Sequence, residues 1–161
     1  MSREEAGRGG ASLAAAEALV ERIRGEIPLT VAMALAVESC DGQSLRLRVP
    51  LAPNINDKGT AFAGSITSLG AITGWCLLTL WGEAEVGPCQ VAIYDAHFRF
   101  RKPLRGDFSA SVTLPPPEQL RALRESVLRK GKGRAALTVS LADSEGEAAV
   151  LEAAYSLWRA S

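Results

Sequence analysis

Net charge is what this sequence lacks first. Eighteen basic residues cancel eighteen acidic ones, so there is no global field to hold a phosphate backbone or an anionic membrane through counterion release. Neither nucleic acid nor a membrane is expected as a partner. Cysteine is scarce: Cys40, Cys76 and Cys89 are odd in number, lie in apolar or strand-like stretches, and show no CxxC or Cys/His metal spacing. They predict buried thiols in a reducing compartment and no metal site. The opening MSREEAGRGGAS mixes both charge signs with glycine and lacks the basic start and apolar core of a signal peptide. Residues 61–81 are the longest apolar stretch, but serines, threonines, Gly64, Gly70 and Gly74 interrupt it, which favours a buried helix over a membrane span. A cytoplasmic protein is the expectation.

What is present is the composition of a folding domain, 47% hydrophobic and 22% charged, well outside the regime of disorder. A chain of 161 residues is large enough to bury about two thirds of its unfolded surface in one core. Residues 1–10 read as a flexible tail and 11–161 as a single domain. Leu13, Ala16, Leu19, Val20 and Ile23 recur at helical spacing, with Ser12 as N-cap and Pro28 just past the end. Val31, Met33, Leu35 and Val37 then repeat with period two. A turn at Asp41-Gly42 leads to Leu45, Leu47 and Val49, which predicts a hairpin of two strands.

The loop LAPNINDKGTAF opens into AGSITSLGAITGWCLLTLW, apolar nearly all round and too long for a strand, hence a central helix that a sheet must bury. In CQVAIYDAHFRFRK strict alternation places Ala92, Tyr94, Ala96, Phe98 and Phe100 on one face and Val91, Ile93, Asp95, His97 and Arg99 on the other. A further strand over FSASVTL follows, then a short helix carrying Leu120, Leu123 and Val127. Strands over 134–142 and 148–159 end the chain, with a turn at 143–146 between them. There is no internal repeat.

Asn54-Ile55-Asn56-Asp57-Lys58-Gly59-Thr60-Ala61-Phe62-Ala63-Gly64-Ser65, standing before a long helix between the second and third strands, resembles the loop-to-helix signature of hot-dog-fold thioesterases. It is most similar to the thioesterase family first seen as the C-terminal domain of the bacterial protein YiiD. Asp95-Ala96-His97 followed by Pro103 resembles that family's third strand, and the likeness extends over nearly everything after about Pro28. The resemblance implies an α+β hot-dog fold, an antiparallel sheet wrapped around a long central helix. It also implies hydrolysis of an acyl-CoA or acyl carrier protein thioester, with no cofactor beyond the CoA moiety of the substrate. A homodimer or dimer of dimers is expected, because the long third strand leaves an edge open to pairing.

Thioester hydrolysis needs a donor for the developing oxyanion, a means of activating water, and a slot for the acyl chain. Gly64, where loop becomes helix, offers a backbone N–H free of intrahelical bonding at the positive end of the helix dipole, with no side chain to bar approach. The competing reading is that Gly59 and Gly64 only permit a turn and close packing. In another branch of hot-dog thioesterases Asn-x-x-Gly precedes His-Gly-Gly, with an acidic residue nine positions after the histidine. Here Phe62-Ala63-Gly64 replaces that motif, Ala71 takes the acid's place, and residues 65–80 contain no carboxylate.

Asp57, the carboxylate nearest the helix start in sequence, is therefore the candidate base or nucleophile, with Asn56 orienting water or thioester. An Asx-turn is the alternative role. Ser65 and Phe62 are candidate substrate contacts, though Ser65 also suits an N-cap. Asp95 and the only histidine, His97, form a second candidate pair, or polar residues at an interface or sheet edge. The resemblance implies contact of Lys130, Lys132 and Arg134 with the CoA phosphates, whereas a solvated helix end would carry the same charges. No histidine lies between Leu51 and Trp81, which fits a dehydratase poorly. A binding protein that holds acyl thioesters without cleaving them is the alternative that the missing helix carboxylate favours.

Overall fold

The computed structural model describes residues 11–161, so the expected tail over residues 1–10 lies outside the described part. Helix α1 (Leu13–Glu26) starts where the Ser12 hydroxyl accepts the Ala15 N–H at 3.1 Å. It buries Ala16, Leu19, Val20 and Ile23, the apolar stripe of the sequence. The next segment departs from expectation. Residues 31–35 are not a strand: Pro28–Ala32 forms a short helix α2, with proline at its first turn. Proline lacks only an N–H that a helix start leaves unpaired, and its φ is already helical. Four alternating apolar residues are too few to exclude a buried helical turn. Ala34, at φ 56°, then redirects the chain into β1 (Ala36–Cys40).

Strands β1 and β2 (Ser44–Val49) form the expected hairpin. Its turn is fixed by the Asp41 carboxylate, which accepts from the Gln43 and Ser44 amides at 2.9 and 2.7 Å. A single turn of 3-10 helix (Ala52–Asn54) precedes α3 (Ala63–Glu85). Strand β3 (Cys89–Phe100), β4 (Phe108–Thr113), α4 (Pro117–Lys130), β5 (Lys132–Asp143) and β6 (Gly146–Arg159) complete the chain. The left-handed Gly131, at φ 80°, ends α4.

All pairings are antiparallel, in the order β1-β2-β4-β5-β6-β3. Helix α3 packs against β2 through β6. It buries Ile66, Leu69, Leu77 and Leu78 against Leu47, Ala110, Val139, Leu151 and other inward residues of the sheet. Each such leucine contributes about 1.5–3 kcal/mol, so the sheet is held in its curve by the helix it encloses. This is the hot-dog layout. By length and composition α3 would also pass as a membrane span, but its apolar residues face the strands.

The alternation expected for β3 breaks at one residue. Val91 and Ile93 pair with Leu157 and Tyr155, then the register shifts, and Ala96, Phe98 and Phe100 pair with Ala153, Leu151 and Ala149. Tyr94 is a bulge residue, and beyond it the inward parity changes from odd to even numbers. Ile93 therefore shares the helix-side face with Phe98 and Phe100, while Asp95, His97 and Arg99 face away. Cys76 is buried as expected, with its thiol pKa pushed up by burial, but Cys40 and Cys89 are only half-buried.

Candidate active site

The signature loop is a small structure with its own hydrogen bonds. Asn54, 2% exposed, donates its side-chain N–H groups to the carbonyls of Met33 and Pro50 at 3.0 and 2.8 Å. Its main-chain carbonyl accepts the Phe62 amide at 2.8 Å. The Asn56 side chain donates to Thr60 Oγ1 and the Ala61 carbonyl, and accepts the amides of Lys58 and Thr60 at 2.8 and 3.0 Å. Gly59, at φ 79°, supplies the left-handed residue the turn needs. Asn56 is thus spent on the loop, and an orienting role toward water or thioester would require breaking these bonds.

The turn stands Asp57 in solvent. Its side chain is 80% exposed and meets Lys58 Nζ at 3.1 Å, an exposed pair that contributes little to stability. The loop thus does not give Asp57 the half-buried setting that helps a carboxylate act as a base.

Helix α3 begins one turn earlier than a Ser65 cap would place it. Phe62 holds the N-cap position, with no side-chain cap bond, so Ser65 lies inside the first turn and does not cap. The amides of Ala63, Gly64 and Ser65 have no protein acceptor among the described residues. They are the uncapped donors of a helix 23 residues long, at its positive end. The Phe62 ring lies over Gly64, and a Cβ there would sit 2.3 Å from the ring's Cε1.

An apolar groove of about 350 Å³ runs beside this helix start. Ser68, Ala71, Ile72 and Trp75 of α3 form one wall. The segment through α2 supplies Ile27, Leu29, Thr30 and Met33, and Ile93 and Tyr155 come from the sheet. Ser68 stands one turn beyond Gly64 on the same helix face. Among the described residues, no carboxylate or imidazole lines the groove. Burial holds the Tyr155 hydroxyl well above its usual pKa, so it stays neutral and donates to the Ala71 carbonyl at 2.8 Å. Sequence reading missed the groove because its residues come from four separated segments. Only the uncharged helix face, Ala71 included, signalled it.

The remaining candidates lie elsewhere. Lys132 and Arg134 have the parity opposite to buried Leu137 and Val139, so they occupy the face of the sheet away from α3. Arg134 there stacks on the Tyr94 ring, 4.9 Å from its centroid, and exposed Lys130 ends α4. Asp95 and His97 are exposed on that same outer face. Within one chain, neither the basic cluster nor the Asp95/His97 pair lines the groove. No cluster of His, Cys, Asp and Glu suited to a metal occurs among the described residues.

The family described as "Putative thioesterase (yiiD_Cterm)" matches residues 16–159. Among solved structures, the chain is similar to a "putative thioesterase" from Shewanella oneidensis, with 28% identity over 89% of this chain and 96% of that one, at a TM-score of 0.79. A Chlorobaculum tepidum protein of unknown function is 26% identical, covers 90% and 94%, and superposes at 0.84. A Pseudomonas aeruginosa protein of unknown function, called a probable thioesterase, is 27% identical, covers 94% and 99%, and superposes at 0.77.

Proposed function

The chain belongs to the thioesterase family of the YiiD C-terminal domain, and from that premise we propose that it hydrolyses an acyl thioester of CoA or of an acyl carrier protein. The observation that carries the reading is the start of α3. Three amides without a protein acceptor among the described residues, one of them at a glycine under the Phe62 ring, stand about one helical turn from an apolar groove. In a water-poor site such donors stabilise the tetrahedral oxyanion more than the ground-state carbonyl, which lowers the barrier to attack. The thioester carbonyl docks at Gly64 and Ser65, with Phe62 over the scissile group and the acyl chain directed along α3.

Asp57 is the base in this proposal. It is exposed and, among the described residues, paired only with Lys58, so it must turn inward, or act from a second copy, to reach the attacking water. The second copy has a place to bind. Among the described residues strand β3 pairs only with β6, and the strand carries exposed Ile93, Tyr94 and Phe100. Edge strand β1, by contrast, is short and bulged and carries Glu38, features that discourage pairing. We therefore propose a homodimer joined through β3. Lys130, Lys132 and Arg134 are assigned to the CoA phosphates.

A panel of acyl-CoA and acyl carrier protein esters, followed by loss of thioester absorbance, tests the activity. Asp57→Asn should lower turnover by about a hundredfold or more, as removal of a general base does, with ligand affinity kept. Full turnover in that variant removes Asp57 from the chemistry. A second reading, a binder without turnover, is favoured by the lack of any carboxylate or imidazole lining the groove among the described residues. Affinity for acyl esters with no hydrolysis on any of them would establish it.

A further inference from the structure

The groove beside α3 is polar at one end only. Thr30 Oγ1 donates to the Ile27 carbonyl at 2.7 Å, Trp75 Nε1 to the Val91 carbonyl at 2.7 Å, and the Tyr155 hydroxyl to the Ala71 carbonyl at 2.8 Å. The Ser68 hydroxyl, nearest the helix start, has no partner among the described residues. A matching occupant has one polar group at the Ser68 end and a tail free of hydrogen-bonding groups.

Length follows from the helix. At 1.5 Å rise per residue about 10 Å separates Ser68 from Trp75, the reach of an extended chain of roughly eight carbons. Trp75 is the lining residue farthest along α3, and its hydrogen bond to Val91 fixes the ring there. The volume of about 350 Å³ is near the lower end, roughly 300 Å³, of small-molecule sites. Ala71, midway along this wall, is its smallest side chain.

We propose that this groove holds the acyl group of the substrate, that it selects an unbranched, unsubstituted aliphatic chain of medium length, and that Ala71 sets its depth. The proposal rests on the thioester reading and specifies its substrate class. A hydroxyl on the distal part of the chain would lose its water without gaining a partner, a loss of about tenfold or more.

The test compares acetyl-, butanoyl-, octanoyl-, hydroxyoctanoyl- and palmitoyl-CoA on the wild type, Ala71→Phe and the milder Ala71→Leu. Binding of S-octyl-CoA, a thioether that cannot be hydrolysed, is measured by calorimetry on the same proteins. In the wild type kcat/KM should rise about fourfold for each methylene buried, up to octanoyl, and then level off. Ala71→Phe should cut the octanoyl-to-butanoyl ratio at least about tenfold and weaken S-octyl-CoA, with Ala71→Leu intermediate. Hydrolysis indifferent to chain length, with both variants like wild type, overturns the groove assignment and leaves the hydrolase reading standing. S-octyl-CoA binding weakened by Ala71→Phe without any turnover does the reverse. If Ala71→Leu dissociates a dimer and chain-length preference is untouched, a second copy fills the groove and the proposal fails.

Discussion

Replacing Gly64 with alanine separates what the helix start does for the fold from what it does for chemistry. The added Cβ would lie 2.3 Å from Cε1 of Phe62 and 2.9 Å from its Cζ, so the ring must move. Phe62 is 54% exposed, and swinging it into water forfeits roughly half of a buried aromatic's contribution, about 1 kcal/mol. Alanine recovers up to about 1 kcal/mol over glycine within a helix. Gly64 has no positive φ to strain, so the two terms nearly cancel and the urea midpoint should stay near wild type.

In the proposed pose, however, the methyl group and the displaced Phe62 ring would stand where the thioester carbonyl meets the amides of Gly64 and Ser65. Loss of one oxyanion donor costs about a hundred- to a thousandfold in kcat, and hydrolysis should fall toward that range. Thioester absorbance is the right readout, because half-buried Cys40 and Cys89 would compete for a thiol dye. A folded Gly64→Ala variant that hydrolyses at the wild-type rate would refute the placement of the carbonyl at these amides.

Gly74→Ala should behave oppositely. Its Cβ would meet the Tyr155 hydroxyl at 2.3 Å, and Tyr155 is 1% exposed. Overpacking of about 1–3 kcal/mol and a lost hydrogen bond of about 1 kcal/mol outweigh the helix gain, so chemical denaturation should show a loss of about 2 kcal/mol. The amides of Ser44 and Gln43 hold the Asp41 carboxyl below its usual range. Its folded pKa is therefore lower than its unfolded one, and the stability it lends is present above about pH 3.9 and lost as pH falls through the folded value. Wild type should accordingly lose its advantage over Asp41→Asn in denaturation midpoint at acid pH, and a constant gap would contradict the turn's role. Lys132→Glu with Arg134→Glu should raise KM for CoA esters at low salt and less at high salt, whereas unchanged KM would free the cluster from the site. Light scattering at micromolar concentration should return a dimer, and a monomer would count against pairing through β3.

The parts of the fold written in long periodic segments were legible before any coordinates. The all-round apolar run of α3 could only be a helix inside a sheet, and the Asp41-Gly42 turn marked its hairpin. Short or interrupted patterns misled. Val31 to Val37 alternates, yet Pro28 starts a helical turn and Ala34 breaks it. One extra residue at Tyr94 exchanges the faces of half of β3. In the site, the loop motif was visible but the division of labour within it was not. Asn54 and Asn56 look alike in sequence, yet one is buried under Met33 and the other clasps its own turn. The groove depends on side chains gathered from four segments, which no local pattern records.

The pairing of β3 with β6 also bears on how the chain is made. Among the described residues, 89–100 find their one sheet partner in 146–159, so β3 leaves the ribosome before the strand it will lie against. It waits while β4, α4 and β5 are synthesised. During that interval α3, already made, can cover the apolar side of β3, but the backbone edge that β6 will take stays unpaired, and pairing so distant in sequence is slow to form. The nascent chain should be open in this window to pairing of that edge with a strand of another molecule.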